Sequence, residues 1–167
     1  MLILSRIAQP LKAHWFLRSL HRNDKILEIG SGGGWVRVWL KHHKYTGYTS
    51  VDIEPPADVV GDILNWRELG FVANSFDAVI AFEVVEHVDC FQAVWDLLKP
   101  GGKLLLTTPV PAADPLLERL ERMGLTQQRT SPHDHLVDLH SVPWRGSVEV
   151  RRIAWLSQWA RFTKEDC

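Results

Sequence analysis

The sequence predicts an α/β fold: a doubly wound, mainly parallel sheet with helices on both faces and an antiparallel strand at its C-terminal edge. Three observations point to it. A short apolar run, Lys25-Ile26-Leu27-Glu28-Ile29, passes straight into Gly30-Ser31-Gly32-Gly33-Gly34 and then into an amphipathic segment. Apolar strand-like runs and helix-like runs then alternate as far as Thr108, the pattern of βαβ units. Beyond Pro109 the alternation gives way to irregular sequence and a loosely alternating stretch from Val148 to Phe162.

In chain order, Leu4, Ile7, Ala8, Leu11 and Trp15 recur at helical spacing and predict an amphipathic helical region within residues 1–22. Pro10 is tolerated best in a first turn, so the helix is expected to break or restart there. Such a helix packs on the domain, closes over a site as a lid, or lies on a membrane surface. The strand 25–30 and the glycines lead to a helix with Val36, Trp39 and Leu40 on one side. Tyr45 to Ile53 reads as a strand, Asp58 to Ile63 as a short one, and Phe76 to Val84 as a strongly apolar one. Phe91 to Leu98 reads as a helix that Pro100-Gly101-Gly102 stops, with a strand from Lys103 to Thr108. Leu116, Leu117 and Leu120 predict a helix over Asp114 to Met123, ending at Gly124. Residues 127–146, rich in His, Pro, Ser and Asp, read as a loop near functional surface, and one or two edge strands follow.

At 167 residues, 46% hydrophobic and 23% charged, the chain fits one globular domain over 1–167. Its parts are an N-terminal helical region (1–22), a core that carries the glycine turn (25–109) and a late loop with C-terminal strands (110–167). Cys90 and Cys167 make neither a metal spacing nor a disulfide framework, as in a reducing cytoplasm. Met1 to Leu4 meets Arg6 at once, unlike a secretory signal, and no run approaches the roughly 18 apolar residues of a membrane span. A soluble cytoplasmic protein is expected. Residues 1–50 hold eight Lys/Arg against Asp24 and Glu28, whereas residues 51–100 hold ten Asp/Glu against Arg67 and Lys99. The net charge of −1 disfavours a nucleic-acid partner despite that segregation. The oligomeric state is not readable.

The glycine cluster gains meaning from lying between a strand and a helix, where a doubly wound sheet binds ligands and glycine lets backbone approach them. A dinucleotide fingerprint counted from Gly30 would need a small residue at position 35, where Trp35 stands. The run Glu28-Ile29-Gly30-Ser31-Gly32-Gly33-Gly34 instead resembles the E/D-x-G-x-G-x-G motif of class I methyltransferases, enzymes with a Rossmann-like fold that use S-adenosyl-L-methionine. The resemblance continues in register from Lys25 to Pro109, about half the chain. Asn74 to Val88, with Phe76-Asp77-Ala78-Val79 and Glu86-His87, is similar to the fourth-strand signature of small-molecule methyltransferases. Leu97-Leu98-Lys99-Pro100-Gly101-Gly102-Lys103-Leu104 is equally typical of them.

The resemblance implies site residues. Gly30, Ser31, Gly32 and Gly34 cradle the methionine moiety, and Glu28 holds the loop and the amino group. Asp52 takes the ribose hydroxyls and Ile53 faces adenine. Asp62 accepts from the adenine amino group or, alternatively, only caps the following turn. Ile63, Phe82 and Glu83 complete the cofactor set. One departure stands out: only Glu54 to Ala57, with two prolines, separates the second and third strands, where the family usually has a helix. Parallel strands generally need a crossover of about a dozen residues, so this link is expected to be an irregular loop.

Methyl transfer from a sulfonium is an in-line displacement in which the protein aligns the reactants and, for an acceptor that carries a proton, takes that proton. His87, just past the fourth strand, is the candidate base; a capping or packing role is the alternative. His133 and His135 flank Asp134 but lack a third ligand, and no metal is expected. Ala81-Phe82-Glu83 stands where methylases of DNA bases carry N-P-P-Y/F, so the expected acceptor is a small or lipid-like molecule. A non-catalytic module of the same fold and, less favoured, an NAD-dependent oxidoreductase are the competing readings.

Overall fold

A computed structural model describes residues 3–122 and 135–166. Its backbone forms α1 (Ile3–Trp15), β1 (Ile26–Ile29), α2 (Trp35–His42), β2 (Tyr48–Asp52), β3 (Val59–Val60), β4 (Phe76–Phe82) and α3 (Phe91–Leu97). There follow β5 (Leu98–Pro109), α4 (Asp114–Arg122), β6 (Gly146–Ile153) and β7 (Ser157–Lys164). The seven strands make one sheet in the order β3-β2-β1-β4-β5-β7-β6. β3, β2, β1, β4 and β5 are mutually parallel. β7 runs antiparallel to both β5 and β6. The antiparallel strand predicted near the C-terminal edge is therefore β7, one place in from the edge strand β6.

Strand alternation sorts the core into two layers. Ile26, Ala78, Ile80 and Leu105 face α1 and α2, where they meet Ala13, Phe16, Val36 and Leu40. Leu27, Ile29, Val79, Ala81, Leu104 and Leu106 face the other side, against Val94 and Leu97 of α3 and the turn at Ile63 and Trp66. Strands buried on both faces explain the nearly continuous apolar runs of β1, β4 and β5.

α1 corrects two expectations. It runs without a break from Ile3 to Trp15 with Pro10 inside, because the sheet packs its C-terminal half and supplies what the missing backbone hydrogen bond removes. Its buried face is also not the apolar stripe. Ala13 and Phe16 are buried, while Ile7 and Leu11 are 56% and 53% exposed. Lys12 lies on the inward face, where its ammonium reaches Glu83 at 2.8 Å and the Thr107 hydroxyl at 2.9 Å, both at the C-terminal end of the sheet.

The link between β2 and β3 is the expected irregular loop. Asp58 does the work of the missing helix: its carboxylate accepts from the Ser50 amide at 2.9 Å and from Arg37 of α2. The predicted helix at 114 is present to Arg122, and its end at Gly124 lies outside the described residues. The late loop is held by Gln158, buried in β7, whose amide donates to the carbonyls of Pro109 and Val137 and accepts from the Leu139 amide.

Candidate active site

β1 is where the strand order reverses: β2 and β3 lie on one side of it and β4 on the other, so Ile29 pairs with both Val51 and Ala81. Loops leaving β1 and β4 diverge at such a point and open a crevice beyond the strand ends. The glycine turn fills one wall of it. Gly30 has φ +70°, and a Cβ there would lie 2.6 Å from Cγ2 of Val84, so the turn and the tip of β4 touch through the absent side chain. Gly34, at φ 69°, begins α2 in a left-handed conformation. A Cβ on Gly32, Gly33 or Gly34 meets nothing within 4 Å, so the space in front of the turn is open. The buried Ser31 hydroxyl has no hydrogen-bond partner among the described residues and is a group a ligand can satisfy.

Asp52 ends β2 beside this turn, and its Oδ2 accepts from the Gly32 amide at 3.2 Å. Ile53, the next residue, is 73% exposed. Asp62 is exposed and its Oδ1 accepts from the Leu64 amide at 2.9 Å, the capping role foreseen as its alternative, while Ile63 is buried in the core. Phe82 stacks on Trp35 with ring centroids 5.8 Å apart, which ties the end of β4 to the start of α2.

Glu28 is buried below the turn, on the α2 side, and accepts a hydrogen bond from the Tyr48 hydroxyl. Among the described residues its carboxylate meets this phenol rather than an amide of the glycine loop. Burial pushes the carboxyl up to about 7, against the opposing pull of Tyr48 and Arg37. The sign follows: stability contributed by the neutral carboxyl is complete below the unfolded value of 4.5 and is lost as pH rises through about 7. Glu28→Gln is expected to raise the stability of the ligand-free protein at pH 8 by about 3 kcal/mol, hence the melting temperature by roughly 5–10 °C, with no gain at pH 4.5. Calorimetry at the two pH values checks it, and a loss at pH 8 would show that Arg37 makes use of the charge.

The tip of β4 gathers groups that sequence reasoning left apart. Glu83 adopts φ 57°, a conformation a non-glycine residue holds at a strain of about 1–2 kcal/mol. It projects a carboxylate that accepts from Thr107 at 2.6 Å as well as from Lys12. Glu86 is buried behind it and accepts from the Thr108 hydroxyl at 3.0 Å. Desolvation opposes charge on Glu83, yet Lys12, Thr107 and Glu86 together hold it below the usual carboxylate range. Burial and the Glu83 charge push Glu86 up to about 8. His87 follows in the same turn, its amide bonded to the Val84 carbonyl. His135 is brought next to this cluster by its backbone, the amide donating to the Glu86 carbonyl at 3.0 Å, while His133 and Asp134 lie outside the described residues. Among the described residues no group of three His, Cys, Asp or Glu is placed to hold a metal ion.

Lys12, Tyr48 and Thr107 were not singled out from the sequence, and Glu86 entered only as part of the Glu86-His87 signature. Tyr48 was within reach, because alternation along β2 puts Tyr48, Ser50 and Asp52 on one face and Ser50 is the neighbour of Glu28. A cavity of about 1000 Å³ lies apart from the glycine turn, between α3 and residues 135–145. Val85 and His135 line its end beside the Glu86 turn, and Phe91, Trp95 and Trp144 line its length.

The comparisons with known proteins agree with this geometry. A family described as "Methyltransferase domain" matches residues 4–148. The chain is 35% identical over 107 residues to the mitochondrial ubiquinone biosynthesis O-methyltransferase of Rattus norvegicus, covering 50% of this chain and 30% of that protein. It is 29% identical over 163 residues to protein-L-isoaspartate O-methyltransferase 1 of Nitrosospira multiformis, covering 87% and 62%. The chain thus spans less than two thirds of either relative. A SAM dependent methyltransferase from Archaeoglobus fulgidus superimposes with a TM-score of 0.64 at 13% identity, over 93% of this chain and 94% of that one. On the family match, the strand order and the glycine turn together, the chain belongs to the methyltransferase family, in its class I, S-adenosylmethionine-dependent branch.

Proposed function

We propose that this chain is a single catalytic domain that transfers a methyl group from S-adenosylmethionine to a small or lipid-like acceptor, at a hydroxyl oxygen. The observation that carries the proposal is the meeting of Asp52 with the Gly32 amide at the reversal point of the sheet, with the β4 tip on the opposite side of the turn. The name O-methyltransferase, borne by both relatives above, supports oxygen as the acceptor atom.

In this reading Gly30, Ser31, Gly32 and Gly34 hold the methionine part, with Glu28 beneath them, and Asp52 takes the ribose hydroxyls. Ile53 covers adenine, with Asp62 and Ile63 at its far side and Phe82 and Glu83 closing the inner wall. The cofactor supplies an activated methyl. The residues of the chain align the acceptor, exclude water and receive its proton, for which His87 is the proposed base. The buried free thiol of Cys90 suits a reducing, cytoplasmic setting, and no described helix is long and apolar enough to cross a membrane.

Methyl-labelled cofactor incubated with a panel of catechols, phenols and lipid quinols tests the reaction, with loss of all labelling against it. S-Adenosylhomocysteine is expected to raise the melting temperature while NAD and ATP leave it unchanged; a larger shift with NAD would overturn the reading. With an acceptor in hand, His87→Ala is expected to lower kcat about 10²-fold with cofactor affinity unchanged, the low end for a general base because Glu83 and Glu86 adjoin it. Unaltered turnover would return His87 to a structural role.

A further inference from the structure

We propose that α1 and the β6–β7 hairpin form one surface that docks on an anionic lipid membrane. Four observations meet there. Part of the apolar stripe of α1 is turned away from the core: Ile7 and Leu11, one helical turn apart on the same face, are more than half exposed, while Trp15 packs inward. Leu11 then meets the hairpin in a shallow apolar recess of about 210 Å³ lined also by His14, Trp15, Arg151, Ile153 and Trp159. At the hairpin tip Trp155 is 84% exposed. Both tip residues, Ala154 at φ 50° and Trp155 at φ 63°, are left-handed, in a turn that favours Asn-Gly. A large apolar ring presented to solvent in a strained turn is not explained by packing within the chain.

The charge around this apolar ground is mainly basic. His14 lines the recess and Arg18, just past α1, is exposed, while residues 3–19 hold no acidic residue. Facing α1 from the sheet, Arg151 and Arg161 lie over Trp15 at 5.1 and 4.3 Å and share Glu149 between them, at 2.9 and 3.4 Å, so two cations meet one acid there. Exposed leucine, isoleucine and tryptophan within a basic rim are the components of a helix that lies in a lipid headgroup region, tryptophan sitting at that boundary by preference. A polyanion such as RNA would use the cations and leave Ile7 and Leu11 unrewarded, and so fits less well.

Placement gives the surface a use. Ser157 pairs with Pro109 at the C-terminal end of β5, so the hairpin tip is at the same end of the sheet as the glycine turn and Glu83. A membrane seated there borders the mouth of the proposed site, the direction from which a water-insoluble acceptor would come. The surface itself does not depend on the methyl-transfer reading, and vesicle binding is measured without turnover.

The test is sedimentation of the full chain with vesicles of phosphatidylcholine alone and of phosphatidylcholine with roughly one third phosphatidylglycerol. Binding to the anionic vesicles only is expected, with a blue shift of tryptophan emission. Leu11→Gln and Trp155→Asn, the latter a residue at ease in a left-handed turn, are each expected to reduce the bound fraction about tenfold or more with the melting temperature unchanged. Three results would overturn the proposal: no binding to either vesicle, binding that both variants retain, or a wild-type dimer that Leu11→Gln dissociates, which would make the face a contact between copies. Transfer RNA that binds the wild type tightly, and loses that binding in Trp155→Asn, would assign the surface to nucleic acid instead. A chain that binds vesicles but not S-adenosylhomocysteine would keep this surface and sink the cofactor reading alone.

Discussion

Asp52→Ala is expected to weaken binding of S-adenosylhomocysteine at least a hundredfold. A carboxylate that grips two vicinal hydroxyls makes two charge-assisted hydrogen bonds, each worth about 1.5–3 kcal/mol net. Alanine lets water reach the hydroxyls in part, so the loss falls near the low end of about 3–6 kcal/mol, which is at least two decades in affinity. The same carboxylate accepts from the Gly32 amide, so its removal also loosens the turn that holds the other half of the ligand. Asp52→Asn keeps one acceptor and is expected to lose less. Glu54→Ala is the control, because Glu54 is exposed and only its backbone amide approaches Asp52, at 3.5 Å. Calorimetric titration of the three variants decides it: if Glu54 is the costly position, the ribose is not held at the end of β2.

Gly30→Ala is expected to destabilise the protein by about 2–5 kcal/mol, the sum of two separable effects. A positive φ with a Cβ accounts for about 1–2 kcal/mol, and the overlap with Val84 for about 1–3 kcal/mol. The melting temperature falls by roughly 10 °C on that account. In a Val84→Ala background the overlap is gone and only the conformational part remains, so the penalty of Gly30→Ala shrinks to about 1–2 kcal/mol. An undiminished penalty would show that the two residues do not touch.

The parts of this protein legible in its sequence are those governed by local pattern. Glu28 to Gly34 announced a turn between strand and helix, and Phe76 to Val84 a buried strand, because a run of apolar residues beside glycines has few other uses. The seating of α1 was not legible. Its apolar stripe pointed to one face, yet the face turned inward carries Lys12, paired with Glu83 71 residues on, beside Ala13, and hydrophobic periodicity carries no record of such a pair. The carboxyl cluster of Glu83 and Glu86 was hidden for a related reason: the two are three residues apart in a turn, where neither helical nor strand spacing predicts that side chains converge. Asp62 is left open by the sequence and by its cap alike, since one carboxylate oxygen accepts from the Leu64 amide at 2.9 Å and the second still has lone pairs to offer a ligand.

The order of the strands also governs how the chain reaches this state during synthesis. β7 is drawn from residues 157–164 but occupies an interior place, between β5 and β6. A chain emerging from the ribosome therefore completes β1 to β5 while the outer edge of β5, with Leu104, Leu105 and Leu106 along it, has no partner. Unpaired apolar edges of this kind template association between nascent chains. The hairpin of β6 and β7 closes the edge only when residue 164 has cleared the exit tunnel. Premature release anywhere between residues 110 and 156 leaves a sticky, half-built sheet, so quality control of this protein falls on the codons of β6 and β7.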